Sequence, residues 1–139
     1  MIKRKLYNKA LEYLKNFKIV GLLGPRQCGK TTLSKGLIRD FKDYIYLDLE
    51  QEQTVKEILH DPVLFFKMNA GKVICLDEIH HLSEIFKILR GIVDDNNAKG
   101  QFLILGSASY ELLKQSSETL AGRIAYLELS PFSYMEVYG

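Results

Sequence analysis

Gly24-Pro25-Arg26-Gln27-Cys28-Gly29-Lys30-Thr31 satisfies G-x-x-x-x-G-K-[ST], the pattern of a phosphate-binding loop. The apolar run Ile19-Val20-Gly21-Leu22-Leu23 precedes it. Thr32-Leu33-Ser34-Lys35-Gly36-Leu37-Ile38 follows as the start of a helix. A strand, a tight glycine turn and a helix N-terminus direct backbone N–H groups and the helix dipole at one anion. The expected ligand is a nucleoside triphosphate, held by Gly24, Pro25, Arg26, Gln27, Cys28, Gly29, Lys30, Thr31 and Thr32. Lys30 is expected to reach the β- and γ-phosphates, and the Arg26 side chain to face outward.

A second stretch fits the first. Val73-Ile74-Cys75-Leu76-Asp77-Glu78 is four apolar residues ending in two acids. Gly71 before it and the acids after it favour a short buried strand over a helix segment. Asp77 then stands at the carboxyl end of that strand, the edge where open α/β sheets bind ligands. An acid there holds Mg²⁺ together with the loop hydroxyl, Thr31. Glu78, one residue further on, is free to polarise a water aimed at the γ-phosphate, a task worth roughly 10²–10⁴-fold in rate. The pair is expected of an ATP hydrolase more than of a small-molecule kinase, whose acceptor comes from its substrate.

Apolar and polar periodicity orders the rest. A helix is expected over residues 2 to about 17, with Ile2, Leu6, Ala10, Leu14 and Phe17 near one face. Strands are expected at 19–23, 44–49, 73–76, 102–105 and 124–129. Helices are expected from the loop to about Arg39, at 54–60, from Pro62 towards Met68, and from Leu82 to about Val93. Tyr110 to Lys114 begins a helical turn, and Ser116-Ser117-Glu118-Thr119 reads as a loop or cap. Pro131 closes the last strand, and Phe132 to Tyr138 reads as a short helix or turn. Strands alternating with helices predict an α/β three-layer sandwich with a parallel sheet.

With 139 residues the chain has enough length for one core, and residues 1–139 are read as one domain. It ends soon after the fifth strand, so an N-terminal fragment of a longer protein is expected. Hydrophobic content of 47% and charged content of 26% are ordinary for a globular domain. A net charge of +2, from 19 basic and 17 acidic residues, does not by itself indicate nucleic acid. Lys3, Arg4, Lys5, Lys9, Lys15 and Lys18 cluster near the start, where a solvated helix face explains them more simply than a nucleic-acid or membrane contact. No apolar run is long enough to span a membrane, and there is no signal-peptide pattern. Cys28 and Cys75 form no C-x-x-C pair, which points to a reducing, cytoplasmic setting.

Further polar residues are candidates. Ser107 ends the fourth strand, where a short hydroxyl can touch the γ-phosphate or the attacking water; Ser109 competes and can instead cap the next helix. Arg123 precedes the fifth strand and either pairs with a local carboxylate or reaches phosphate as a finger, within the chain or across a subunit interface. His80 can orient Glu78 or touch a partner, with an ordinary core or surface histidine as the default. No Cys, His, Asp or Glu set has structural-zinc spacing. Asp48 and Glu50 read as solvated, and Tyr44, Tyr46, Tyr126, Tyr134 and Tyr138 as core packing.

Gly24 to Leu33, Leu76-Asp77-Glu78-Ile79, Leu105 to Ser109, and Leu120-Ala121-Gly122-Arg123 followed by Leu129-Ser130-Pro131-Phe132 together resemble the AAA-14 family of the AAA+ ATPases. The resemblance covers nearly the whole chain. It implies a P-loop NTPase with a parallel five-stranded sheet ordered 5-1-4-3-2. Walker A would lie at strand one, Walker B at strand three, and a sensor at strand four, where Ser107 matches. It implies ATP and Mg²⁺ as cofactors, a second domain after this one, and hydrolysis at interfaces of a homo-oligomer. Taken with the residue-level reading, the candidate catalytic set is Glu78, Lys30, Ser107 and Arg123, with Thr31 and Asp77 on the metal. His80 stands where the family usually has glutamine, and Cys28 where valine is typical. A non-catalytic nucleotide-binding interaction module is the alternative, and a small-molecule kinase a more distant one. The absence of N-K-x-D weakly disfavours a GTPase.

Overall fold

The structure is a computed structural model and describes residues 2–25, 29–107 and 110–129. Arg26, Gln27, Cys28, Ser109 and the segment 130–139, with Pro131 and Phe132 to Tyr138, lie outside the described residues. Five strands form one parallel sheet: β1 (Ile19–Leu23), β2 (Tyr44–Asp48), β3 (Val73–Asp77), β4 (Phe102–Gly106) and β5 (Ile124–Glu128). Their order is β2-β3-β4-β1-β5, which is 5-1-4-3-2 read from the other edge. The helices are α1 (Ile2–Asn16), α2 (Lys30–Ile38), α3 (Glu52–His60), α4 (Pro62–Met68), α5 (Phe86–Asp94) and α6 (Tyr110–Thr119).

The three central strands are buried along their whole length, which is why each reads as an unbroken apolar run. Alternate side chains feed two separate cores. Ile19, Ile74, Leu76, Phe102 and Ile104 face α3, α4 and α5. Val20, Leu22, Cys75, Leu103 and Leu105 face α1 and α2. These two apolar layers make the three-layer sandwich. Lys5, Lys9 and Lys15 are exposed on α1, opposite the buried Ala10 and Leu14. Phe17, expected on the buried face, lies past the end of α1 and is 39% exposed.

Two expected elements differ. The segment from Leu82 does not begin an α-helix: Ile79–Ile85 is a 3₁₀ stretch broken at Leu82, whose φ of −144° is non-helical, and α5 starts at Phe86. Apolar spacing alone does not separate the two helix types. Ser116 to Thr119, read as a loop or cap, continues α6. Ser116 is buried, and its hydroxyl lies 2.6 Å from the Tyr126 hydroxyl on β5. That contact satisfies a polar group that otherwise favours turns.

Gly21 is required by a close approach. A Cβ there would lie 2.9 Å from Cδ1 of Tyr126. Gly21→Ala is therefore expected to destabilise the protein by about 1–3 kcal/mol through overpacking between β1 and β5. Urea unfolding checks this: an unchanged midpoint would mean that the Tyr126 ring moves aside at little cost. Among the described residues, no helix is long and apolar enough to cross a membrane.

Candidate functional site

Because β1, β4 and β3 are adjacent and parallel, the segments that follow them emerge at one edge. The loop after β1, Ser107 after β4 and Asp77-Glu78 at the end of β3 meet there. Gly24 N–H donates to the Gly106 carbonyl at 3.1 Å, which ties the start of the loop to the end of β4. Gly29 caps α2 with φ of 85°, a left-handed conformation that suits glycine. Lys30 and Thr31 open α2, and Thr32 is exposed on its first turn. Lys30 is only 3% exposed. Its Nζ donates to the Pro25 carbonyl at 3.4 Å, so the ammonium turns back toward the residues that open the loop.

Asp77 is the buried centre of the site, 3% exposed. Its Oδ2 accepts from Thr31 Oγ1 at 3.0 Å and from the Tyr46 hydroxyl. Its Oδ1 is buried without a hydrogen-bond partner among the described residues. An unsatisfied buried acceptor costs about 1–3 kcal/mol, more when charged. A carboxylate oxygen left open beside a threonine hydroxyl is a hard-oxygen donor set of the kind Mg²⁺ takes, directly or through water. The residues present therefore fit the metal.

Glu78 leaves the strand with φ of 59°, the one positive φ at a non-glycine among the described residues. Such backbone costs about 1–3 kcal/mol and concentrates at functional sites. The twist re-aims the carboxylate out of the sheet. It lines a cleft of about 350 Å³ with Lys30, Glu50, His80, His81 and Ser107. Its Oε2 is 3.5 Å from His80 Nε2. The structure thus brings Lys30, Thr31, Asp77, Glu78 and Ser107 together. A smaller cleft, walled by Phe66, Ile74, Ile92 and Phe102, lies toward the other end of the sheet.

Arg123 is not part of this gathering. It precedes β5, whose first residue pairs with Ile19 at the start of β1, whereas the loop follows Leu23 at its end. The strand between them spans roughly 15 Å. Arg123 forms a two-pronged ion pair with Asp94, at 2.7 Å from Nε and 2.9 Å from Nη2. That contact, and the positive charge behind it, hold the Asp94 carboxyl below its ordinary range. In its own chain this placement sets Arg123 at the edge opposite the loop and pairs it with the local carboxylate of Asp94.

Sequence reasoning missed Tyr46, assigned to core packing. In register, Tyr46 lies opposite Cys75, and Asp77 is two residues further along the same face of β3. Burial, then its hydrogen bond to Asp77, push the phenol well above its ordinary pKa, so it remains a donor to the carboxylate. Lys35 Nζ sits 4.7 Å from the centre of its ring. Glu50 and His81 also line the cleft, and both remain exposed to solvent as they do so. His81 has a local signal, three residues after Glu78; Tyr46 and Glu50 have none, and only the pairing of β2 with β3 brings them near.

The AAA domain family AAA-14 matches residues 16–138. The chain belongs to that family. As an AAA domain of this family it carries support for a general nucleotide-binding, ATPase-like role. It is 40% identical over 119 residues to uncharacterised proteins of Mycobacterium tuberculosis and Mycobacterium bovis, an overlap of 86% of this chain and 26% of theirs. The chain thus spans about a quarter of the length of those relatives. It is 32% identical to the nickel import system ATP-binding protein NikE of Staphylococcus aureus, over 93% of this chain and 55% of NikE. Among solved structures it is similar to a DNA replication initiation factor, with a TM-score of 0.61 and 19% identity, over 96% of this chain and 47% of that one. At that identity the likeness is one of fold.

Proposed function

We propose that this AAA domain binds and hydrolyses ATP with Mg²⁺, coupling turnover to a conformational change in a protein partner, a second copy or a further region of its own chain. The observation that carries the reading is the meeting of buried Lys30, the re-aimed Glu78 and Ser107 around one cleft, with the Thr31–Asp77 hydrogen bond on the residues next to Lys30 and Glu78. Family membership, and a relative whose name includes ATP binding, favour ATP among nucleotides.

Backbone N–H groups of the loop and the start of α2 bind the phosphates, and Lys30 neutralises the β- and γ-oxygens. Thr31 and Asp77 would hold Mg²⁺, which when bound draws negative charge from the phosphate oxygens. Glu78 takes the proton from a water as its oxygen attacks the γ-phosphorus and the bond to the β-phosphate oxygen breaks. Ser107 donates to the γ-phosphate or holds the attacking water. Arg123 enters only from a neighbouring subunit; in its own chain it fastens β5 to α5. The two cysteines without disulfide spacing favour a cytoplasmic setting.

The direct test is phosphate release from ATP and from GTP, with and without Mg²⁺, alongside equilibrium nucleotide binding. Mg²⁺-dependent ATP turnover supports the proposal. Nucleotide binding with no turnover would leave a non-catalytic switch. Tyr46→Phe supplies a finer check. Removing the hydroxyl that orients Asp77 is expected to raise the Mg²⁺ concentration needed for half-maximal turnover by about 10-fold or more, in line with other outer-shell partners of metal ligands. An unchanged Mg²⁺ dependence would remove Tyr46 from the site.

A further inference from the structure

Glu78, His80 and His81 each offer a ligand atom, and these atoms lie within 4.8 Å of one another. The reason is local and physical. The positive φ at Glu78 reverses the chain just before the 3₁₀ stretch, and the His81 N–H donates back to the Glu78 carbonyl at 3.1 Å. This tight turn sets the two adjacent imidazoles against each other, with ring centres 4.2 Å apart and planes tilted by 39°, within reach of the Glu78 carboxylate. Both rings are exposed and neither is held by the core.

We propose that Glu78, His80 and His81 form a second metal site, distinct in chemistry from the Thr31–Asp77 pair, that takes a Zn²⁺-class transition dication. Two imidazole nitrogens and one carboxylate oxygen are a borderline donor set, which suits Zn²⁺ and its first-row neighbours and not Mg²⁺. Bonds of about 2.1 Å in a tetrahedral site put ligand atoms about 3.4 Å apart. Glu78 Oε2 and His80 Nε2 already stand at 3.5 Å. A rotation of the exposed His81 ring completes the set. Three protein ligands leave a fourth position facing the cleft shared with Lys30 and Ser107, open to water or a phosphate oxygen.

The consequence for turnover rests on the proposed ATPase reading. A carboxylate bonded to Zn²⁺ no longer accepts a proton from water. Occupancy therefore arrests hydrolysis while leaving nucleotide binding by the loop intact. The metal acts as a brake on Glu78.

The test is titration of the nucleotide-free protein with Co²⁺, read by the visible absorption of four- or five-coordinate cobalt, with Zn²⁺ as competitor. One equivalent is expected to bind. His80→Gln and His81→Gln are each expected to weaken binding by at least about 10-fold. Both side chains are exposed, so the fold is expected to persist, and circular dichroism verifies it. Equal cobalt affinity in the wild type and both variants would overturn the proposal. So would a thiolate-to-cobalt charge-transfer band, which would assign the metal to a cysteine. In parallel, Zn²⁺ is expected to stop Mg²⁺·ATP turnover in the wild type and to do so at least about 10-fold less potently in the histidine variants. Cobalt binding that needs both histidines, with turnover unaffected by Zn²⁺, would support the metal site and count against Glu78 as the hydrolytic carboxylate.

Discussion

Lys30→Ala is expected to weaken ATP binding by at least about 100-fold. Lys30 is buried at the first position of α2, with its Nζ directed back to the Pro25 carbonyl. An ammonium there is already largely desolvated before the ligand arrives, so little is lost when it meets phosphate. Truncating one partner of a buried charge pair costs about 2–5 kcal/mol. Each 1.4 kcal/mol is about tenfold in affinity. Arginine is not expected to rescue the site, because its longer planar head does not fit the volume of a compact ammonium. Fluorescent-nucleotide titration measures the effect. Affinity within a factor of about three of the wild type would show that the loop does not hold phosphate in this way.

Glu78→Gln is expected to separate binding from chemistry. The carboxylate lines the cleft and takes no part in the Thr31–Asp77 contact, so ATP affinity is expected to stay near that of the wild type. Glutamine keeps the shape and most of the hydrogen bonding but does not accept a proton. Loss of a positioned general base lowers the rate by roughly 10²–10⁴-fold. Single-turnover phosphate release, compared with equilibrium binding, distinguishes the two steps. Equal turnover in the variant would exclude Glu78 as the base. Loss of binding together with turnover would instead assign the residue a structural part in the strained turn after β3.

Much of this was legible in one dimension. The glycine loop announces itself because a phosphate cradle needs glycine at left-handed backbone, here Gly29, and a lysine on the first turn of the helix. The strands were legible because the central ones are buried on both faces and so become apolar runs. Asp77 and Glu78 were legible because acids that close such a run stand at its carboxyl end. The resemblance to the AAA-14 family then supplied the sheet order that pattern alone does not give.

What the sequence by itself determined was therefore each local element and the chemistry of its ends: the loop, the acids, Ser107 at the end of β4. What only the tertiary structure decided was who meets whom. Ser116 stayed in the helix, where its hydroxyl meets that of Tyr126 on β5, and the stretch around Leu82 became a broken 3₁₀ turn that apolar spacing does not distinguish from an α-helix. Arg123 was assigned to Asp94 because residues at the amino-terminal ends of parallel strands share an edge remote from the loop. Tyr46 became a partner of Asp77 because strand register placed it on the same face, across a separation of 31 residues. Glu78, His80 and His81 became a ligand cluster because a single left-handed residue folds the chain back on itself. Local propensity records what a residue prefers; pairing across the sheet, cooperative and non-local, fixes which preferences end up side by side.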